Sequence, residues 1–162
     1  MFDVLQDQLG YPDGRSFQID VIRHTGAVAI LPVSDDGLII FVRQYRHAVR
    51  QQLLELPAGT LEEGEDPLVC AQRELREEIG MAAEDMVKLG ESLLAPGYSS
   101  ERMHLYLARN LSASPLPQDD DEILEPVPIQ IDRAFEMLAN AEIEDAKTQL
   151  GLFLAQPFFQ NG

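Results

Sequence analysis

Glu65, Glu74, Glu77 and Glu78 fall within fourteen positions of one another, with Arg73 among them. A helix over this stretch, at about 100° per residue, gathers Glu74, Glu77 and Glu78 on one face. Three carboxylates on one side repel each other unless water, arginine or divalent cations neutralise them, and hard oxygen donors suit magnesium or manganese. Arg73 is placed to orient the glutamates by pairing with a carboxylate such as Glu65. A plain solvated helix can carry the same charge spacing, so the elements around it have to separate the two readings.

Asp66 and Pro67 supply an N-cap and a first-turn proline, and Gly80 stands where a left-handed glycine ends a helix, so the spacing predicts a helix over 67–79. Its apolar stripe is Leu68, Ala71, Leu75 and Ile79. Cys70 lies beside the acidic face and is expected to be a small structural residue, since magnesium avoids sulfur. Leu53 to Leu56 form a short strand that delivers Pro57-Ala58-Gly59, a sharp turn that bares backbone near the carboxylates. His24, His47 and His104 are scattered, which argues against a zinc site.

Elsewhere the pattern is mostly strand. Residues 16–23 alternate apolar and polar after a Tyr-Pro-Asp-Gly turn, predicting a hairpin with part of 4–9 that needs a partner surface. The runs 26–33 and 38–44 read as buried strands joined by Ser34-Asp35-Asp36-Gly37. Arg43, Arg46 and Arg50 then cluster at a strand end, in a chain with only 12 basic residues. Strands are expected over 86–94 and 103–108, and 111–128 reads as a Pro-rich loop closing into a strand at 123–129. Two helices follow, over 131–141 and after the Asp145 cap, the second with a core face of Ala146, Leu150 and Leu154; Lys147 and Thr148 are given packing roles.

The 162 residues suit one domain spanning 1–162, and the net charge of −16 argues against non-specific binding to nucleic acid or an anionic membrane. The longest apolar runs are too short to span a bilayer and no export signal is visible, so a cytoplasmic protein is expected.

The segment from Gly59 to Met81 resembles the Nudix box, G-x5-E-x7-R-E-U-x-E-E-x-G-U with U apolar, at every specified position: Gly59, Glu65, Arg73, Glu74, Leu75, Glu77, Glu78, Gly80 and Met81. The resemblance implies an α/β fold, the Nudix-type α/β/α sandwich with a mixed central sheet. It also implies hydrolysis of a nucleoside diphosphate linked to another group, with divalent cations held by Glu74 and Glu78, Glu77 sharing the site and the Ala58 carbonyl as a backbone ligand. Arg73 and Glu77 would serve the catalytic face.

Further strings are similar to the ADP-ribose pyrophosphatase branch. These are Arg43-Gln44-Tyr45-Arg46, the Glu55-Leu56-Pro57-Ala58-Gly59 turn, and Pro96-Gly97-Tyr98-Ser99-Ser100-Glu101, whose Pro96 stands sixteen residues after Gly80. The likeness implies that Arg43, Arg46 and Glu55 meet the substrate, with Ser100 and Glu101 near the terminal ribose or diphosphate. Asp119-Asp120-Asp121-Glu122 stands where the family carries a catalytic glutamate. Glu122 matches its second glutamate and Asp120 replaces the first, so the general base is Glu122 or Asp120.

The implied reaction is ADP-ribose plus water giving AMP and ribose 5-phosphate, with magnesium, or manganese, as cofactor. The implied assembly is a homodimer that exchanges the N-terminal strands, residues 1–24. The alternatives are a hydrolase of another nucleoside diphosphate sugar, such as GDP-mannose or ADP-glucose, and a non-catalytic ADP-ribose-binding regulator. The complete box weighs against the last.

Overall fold

The computed structural model describes residues 2–118 and 123–159. Period-two patterning at the N-terminus produces β1 (Phe2–Gly10) and β2 (Ser16–His24), paired antiparallel as a two-stranded ribbon. The Tyr11–Gly14 turn closes it, with the Gly14 amide donating to the Tyr11 carbonyl at 3.0 Å. The ribbon carries Leu9, Phe17 and Ile19 exposed on one face, with Phe2 and Val4 exposed on the other.

The next strands are β3 (Ala27–Pro32), β4 (Leu38–Arg46), β5 (Gln51–Glu55) and β6 (Ala58–Thr60), followed by α1 (Pro67–Glu78). Then come β7 (Met81–Leu93), β8 (Arg102–Ala113), β9 (Leu124–Gln130), α2 (Ile131–Ala139) and α3 (Ala146–Ala155). One sheet is ordered β6-β3-β8-β7 and the other β5-β4-β9. The first sheet is mixed: β3 and β8 run parallel, while β6 and β7 are antiparallel to their neighbours. The near-continuous apolar runs of β3 and β4 are adjacent in sequence yet lie in different sheets, linked by a bridge between Val33 and Ile39.

The two faces of β3 explain the layers. Val28 and Ile30 pack with Cys70, Ala71 and Leu75 of α1, while Ala27 and Ala29 pack toward Leu150 and Leu154 of α3. Leu31 joins a further core with Ile39, Phe41, Leu56, Ala134 and Leu152. Helix, mixed sheet and helix therefore stack as an α/β/α sandwich, and full burial of β3 on both faces accounts for its lack of alternation.

Several boundaries shift. The expected loop over 111–128 is shorter, because β8 continues to Ala113 and β9 begins at Leu124. Pro126 and Pro128 are tolerated because β9 is an edge strand paired only with β4. On α3 the fully buried residues are Lys147, Thr148, Gly151, Leu152 and Ala155; of the expected core face Leu150 and Leu154 pack half-buried on β3, while Ala146 is exposed. The cap sets this rotation: Asp145 accepts from the Thr148 amide at 2.9 Å and its hydroxyl at 2.6 Å, turning Thr148 inward. Phe159 of the tail packs on Phe135 with ring centroids 5.6 Å apart. Among the described residues no helix is long and apolar enough to cross a membrane.

Candidate active site

The acidic helix starts where Asp66 accepts from the amides of Leu68 at 2.9 Å and Val69 at 3.3 Å. It ends at Gly80, whose φ of +70° no side-chain-bearing residue adopts without strain. Burial of Cys70, Ala71 and Leu75 fixes its rotation, and Glu74 and Glu78 are thereby carried inward to 7% and 3% exposure. Leu68 departs from the expected stripe: it is exposed, in an outer groove with Val69, Met86 and Leu116. The buried stripe begins one turn later.

Arg73 organises the carboxylates. Its Nε and Nη2 each donate to Glu65 at 3.1 Å, while Nη1 donates to both Glu74 Oε1 at 2.7 Å and Glu77 Oε2 at 2.8 Å. Two glutamate oxygens from one helix face thus meet on a single nitrogen. The hydrogen bond from Arg73 holds the Glu65 carboxyl below its ordinary 4.5, and Glu65 in turn raises the guanidinium's pKa. Cys70 accepts from Arg73 Nη2 at 3.2 Å, and burial pushes its thiol up to about 12, so it stays neutral.

The box loop meets this helix through bare backbone. Glu78 Oε2 accepts from the Ala58 amide at 3.1 Å. A Cβ placed on Gly59 would come within 1.9 Å of Glu74 Cδ and Oε1. Only glycine lets the carboxylate lie against the main chain here.

Ala58, Gly59, Arg73, Glu74 and Glu77 line a cavity of about 570 Å³, and Arg46, Glu101, Asp145 and Lys147 line it as well. Among the described residues no three His, Cys, Asp or Glu side chains stand together as a ready metal cage, and Arg73 bonds Glu74 and Glu77. The donor set still fits a hard divalent cation: carboxylate oxygens converge beside a main chain cleared of side chain.

The structure brings Ala58, Arg73, Glu74, Glu77, Arg46 and Glu101 to this cavity; Glu78, buried on α1 against the Ala58 amide, is not part of its lining, and neither are Arg43, Ser100 and Glu55. Arg43 lies on the surface, its Nη1 3.2 Å from the exposed Glu125. Ser100 is turned toward β2, where its hydroxyl accepts from the His24 amide at 3.0 Å. Backbone bonds continue that seam, from the Ile22 amide to the Tyr98 carbonyl at 2.7 Å and from the Ser100 amide to the Ile22 carbonyl at 2.9 Å. Glu55 stands behind the cavity wall, 1% exposed. Arg46 donates to it from Nε at 2.8 Å and Nη2 at 2.7 Å, and Lys147 donates to it as well. Asp120 and Glu122 lie outside the described residues.

The packing role read for Lys147 is incomplete, because the residue lines the cavity and its ammonium bonds Glu55 and Asp145. One signal was available. Lys147 is one of two lysines in the chain and sits in the first turn of an apolar helix, where the helix dipole disfavours a cation. A lysine so placed needs an anion, and Glu55 with Asp145 supplies it.

Fold and site define a class of protein: an α/β/α sandwich that presents a helix of carboxylates to a polar cavity that Arg46 and Lys147 also line. The NUDIX domain model matches residues 23–148, and the chain belongs to this family. It is 35% identical to an ADP-ribose pyrophosphatase of Bacillus subtilis, over 91% of this chain and 81% of that one. It is 32% identical to a GDP-mannose pyrophosphatase of Escherichia coli, over 81% of this chain and 77% of that one. The crystal structure of an ADP compounds hydrolase superposes with a TM-score of 0.85 at 27% identity, covering 99% of this chain and 87% of that one.

Proposed function

We propose that this protein hydrolyses the diphosphate of ADP-ribose, releasing AMP and ribose 5-phosphate, with magnesium bound at the box carboxylates. The observation that carries this reading is the shared cavity: carboxylates suited to a cation on α1, and Arg46 with Lys147 lining the same space. An acidic face alone repels a diphosphate, whereas one that takes up a divalent cation beside protein cations receives it. The relatives named for ADP compounds point to the same substrate class.

A divalent cation bound here would neutralise diphosphate charge and acidify the attacking water. The chain's own residues do the remainder. Arg73 keeps Glu74 and Glu77 converged, so their geometry is set before substrate arrives. Arg46 and Lys147 offset charge on the diphosphate oxygens. Glu101, on the cavity lining, accepts hydrogen bonds from ribose hydroxyls. Glu122 or Asp120 takes the proton from water.

Incubation with ADP-ribose and magnesium should release AMP and ribose 5-phosphate, and a chelator should stop it; no release in magnesium or manganese would remove the assignment. A second reading, a preference for GDP-mannose, is favoured by the relative of that name. Comparing kcat/KM for ADP-ribose, ADP-glucose and GDP-mannose decides between them.

The reading also takes residues 1–162 as one domain and the protein as a homodimer built through the β1–β2 ribbon, whose exposed Leu9, Phe17 and Ile19 need a covering surface. Sedimentation should give about twice the chain mass of 18.1 kDa. A monomer at assay concentration would contradict it.

A further inference from the structure

Glu55 is a fully buried carboxylate that touches two cations and lines no part of the cavity. Both of those cations do line it. Arg46 arrives from the end of β4 and grips Glu55 with two parallel bonds, at 2.8 and 2.7 Å. Lys147 arrives from α3 and bonds the same carboxylate, sharing itself with Asp145 Oδ1 at 3.0 Å. Asp145 is fixed in turn by Thr148, whose hydroxyl accepts from the amide of Leu56 at 2.8 Å, the residue that follows Glu55. The circuit therefore closes on itself through β4, β5 and α3.

We propose that Glu55 is a positioning residue for the reaction: from behind the wall it fixes Arg46 and Lys147 as one rigid cation pair that receives the substrate's diphosphate, without touching substrate itself. This rests on the reading of the protein as an ADP-ribose pyrophosphatase.

Three considerations carry it. Buried ion clusters are poor stabilisers, and apolar residues of similar volume commonly serve stability as well or better. Stability alone therefore gives little reason for the cluster. Without Glu55, Arg46 would lose both of the bonds that hold its guanidinium, and Lys147 would be left with Asp145. With it, Arg46 remains 39% exposed, at the cavity, while two of its nitrogens are held. Burial by itself would raise the Glu55 pKa, but Arg46 and Lys147 outweigh it and hold the group below its ordinary 4.5, so the carboxylate is ionised throughout the neutral range. An arginine held in this way gives up little side-chain freedom on binding an anion.

The test is Glu55→Gln, which keeps the shape and removes the charge, assayed against ADP-ribose beside Arg46→Gln and the double variant. The KM should rise on the order of tenfold in each single variant, the scale of one lost charge-assisted bond, with kcat held within about threefold. In the Arg46→Gln background, Glu55→Gln should add less than about twofold, because most of its effect runs through Arg46. Glu55→Asp keeps the charge on a shorter arm and should fall between wild type and Glu55→Gln; it also carries the test if Glu55→Gln does not fold. An unchanged KM in a folded Glu55 variant, or fully additive effects with Arg46→Gln, would overturn the proposal. Wild-type protein that releases no AMP would dispose of the activity itself, whereas normal wild-type turnover beside an unshifted variant disposes of this inference alone.

Discussion

Glu78→Gln is expected to lower turnover of ADP-ribose by about three orders of magnitude while leaving the folded protein intact. The reason lies in what the substitution keeps. Glu78 is 3% exposed, and one of its oxygens accepts from the Ala58 amide at 3.1 Å. A glutamine has the same shape, and its amide oxygen can accept that bond, so the box loop stays tied to α1. What disappears is the negative charge through which this position would hold a divalent cation. The checks are AMP release under saturating magnesium and the thermal midpoint by circular dichroism. A variant within tenfold of wild type would remove Glu78 from the metal site; a large fall in the midpoint would make it a structural residue.

Gly59→Ala comes second, with an expected loss of about a hundredfold in kcat and a stability change of no more than about 1–3 kcal/mol. The new methyl would lie 1.9 Å from Glu74 Cδ, which neither group tolerates. The obstacle is the tip of a flexible side chain, so Glu74 moves and the backbone stays. Its carboxylate would leave Arg73 Nη1, now 2.7 Å away, and lose its place beside Glu77. Displacement of about 1 Å from a reactive geometry is enough for a loss of this size. Kinetics with denaturant unfolding on the same preparation separates the two effects, and full activity in the alanine variant would show that the carboxylate has room the structure does not display.

Much of this could be read in the amino-acid order, because local chemistry determines it. The cap at Asp66, the stop at Gly80 and the pairing of Arg73 with Glu65 depend on residues close in sequence, and the structure shows all three. The NUDIX match over residues 23–148 and the α/β/α layers agree with the box resemblance. Contacts across long separations were the ones that escaped. Glu55 and Lys147 lie 92 positions apart, so nothing local shows that one buries the other. Ser100 and His24 are separated by 76, and a serine in a Pro-Gly turn carries no mark that it faces a strand rather than a ligand. The rotation of α3 was legible only in part, at Leu150 and Leu154, for a related reason: its apolar residues surround most of the helix, and the Asp145 cap helps decide which side turns inward.

The seam between β2 and the turn at 95–101 has a consequence for motion. Ile22 exchanges backbone bonds with Tyr98 and Ser100, and the Ser100 hydroxyl takes the His24 amide. The next residue along the turn, Glu101, lines the cavity. The outlying ribbon and this turn should therefore open together, which is checked by whether amides on either side of the seam exchange their hydrogens for deuterium with a common opening free energy. Whatever clamps the ribbon would slow exchange in the turn, and with it quiet the carboxylate at the cavity.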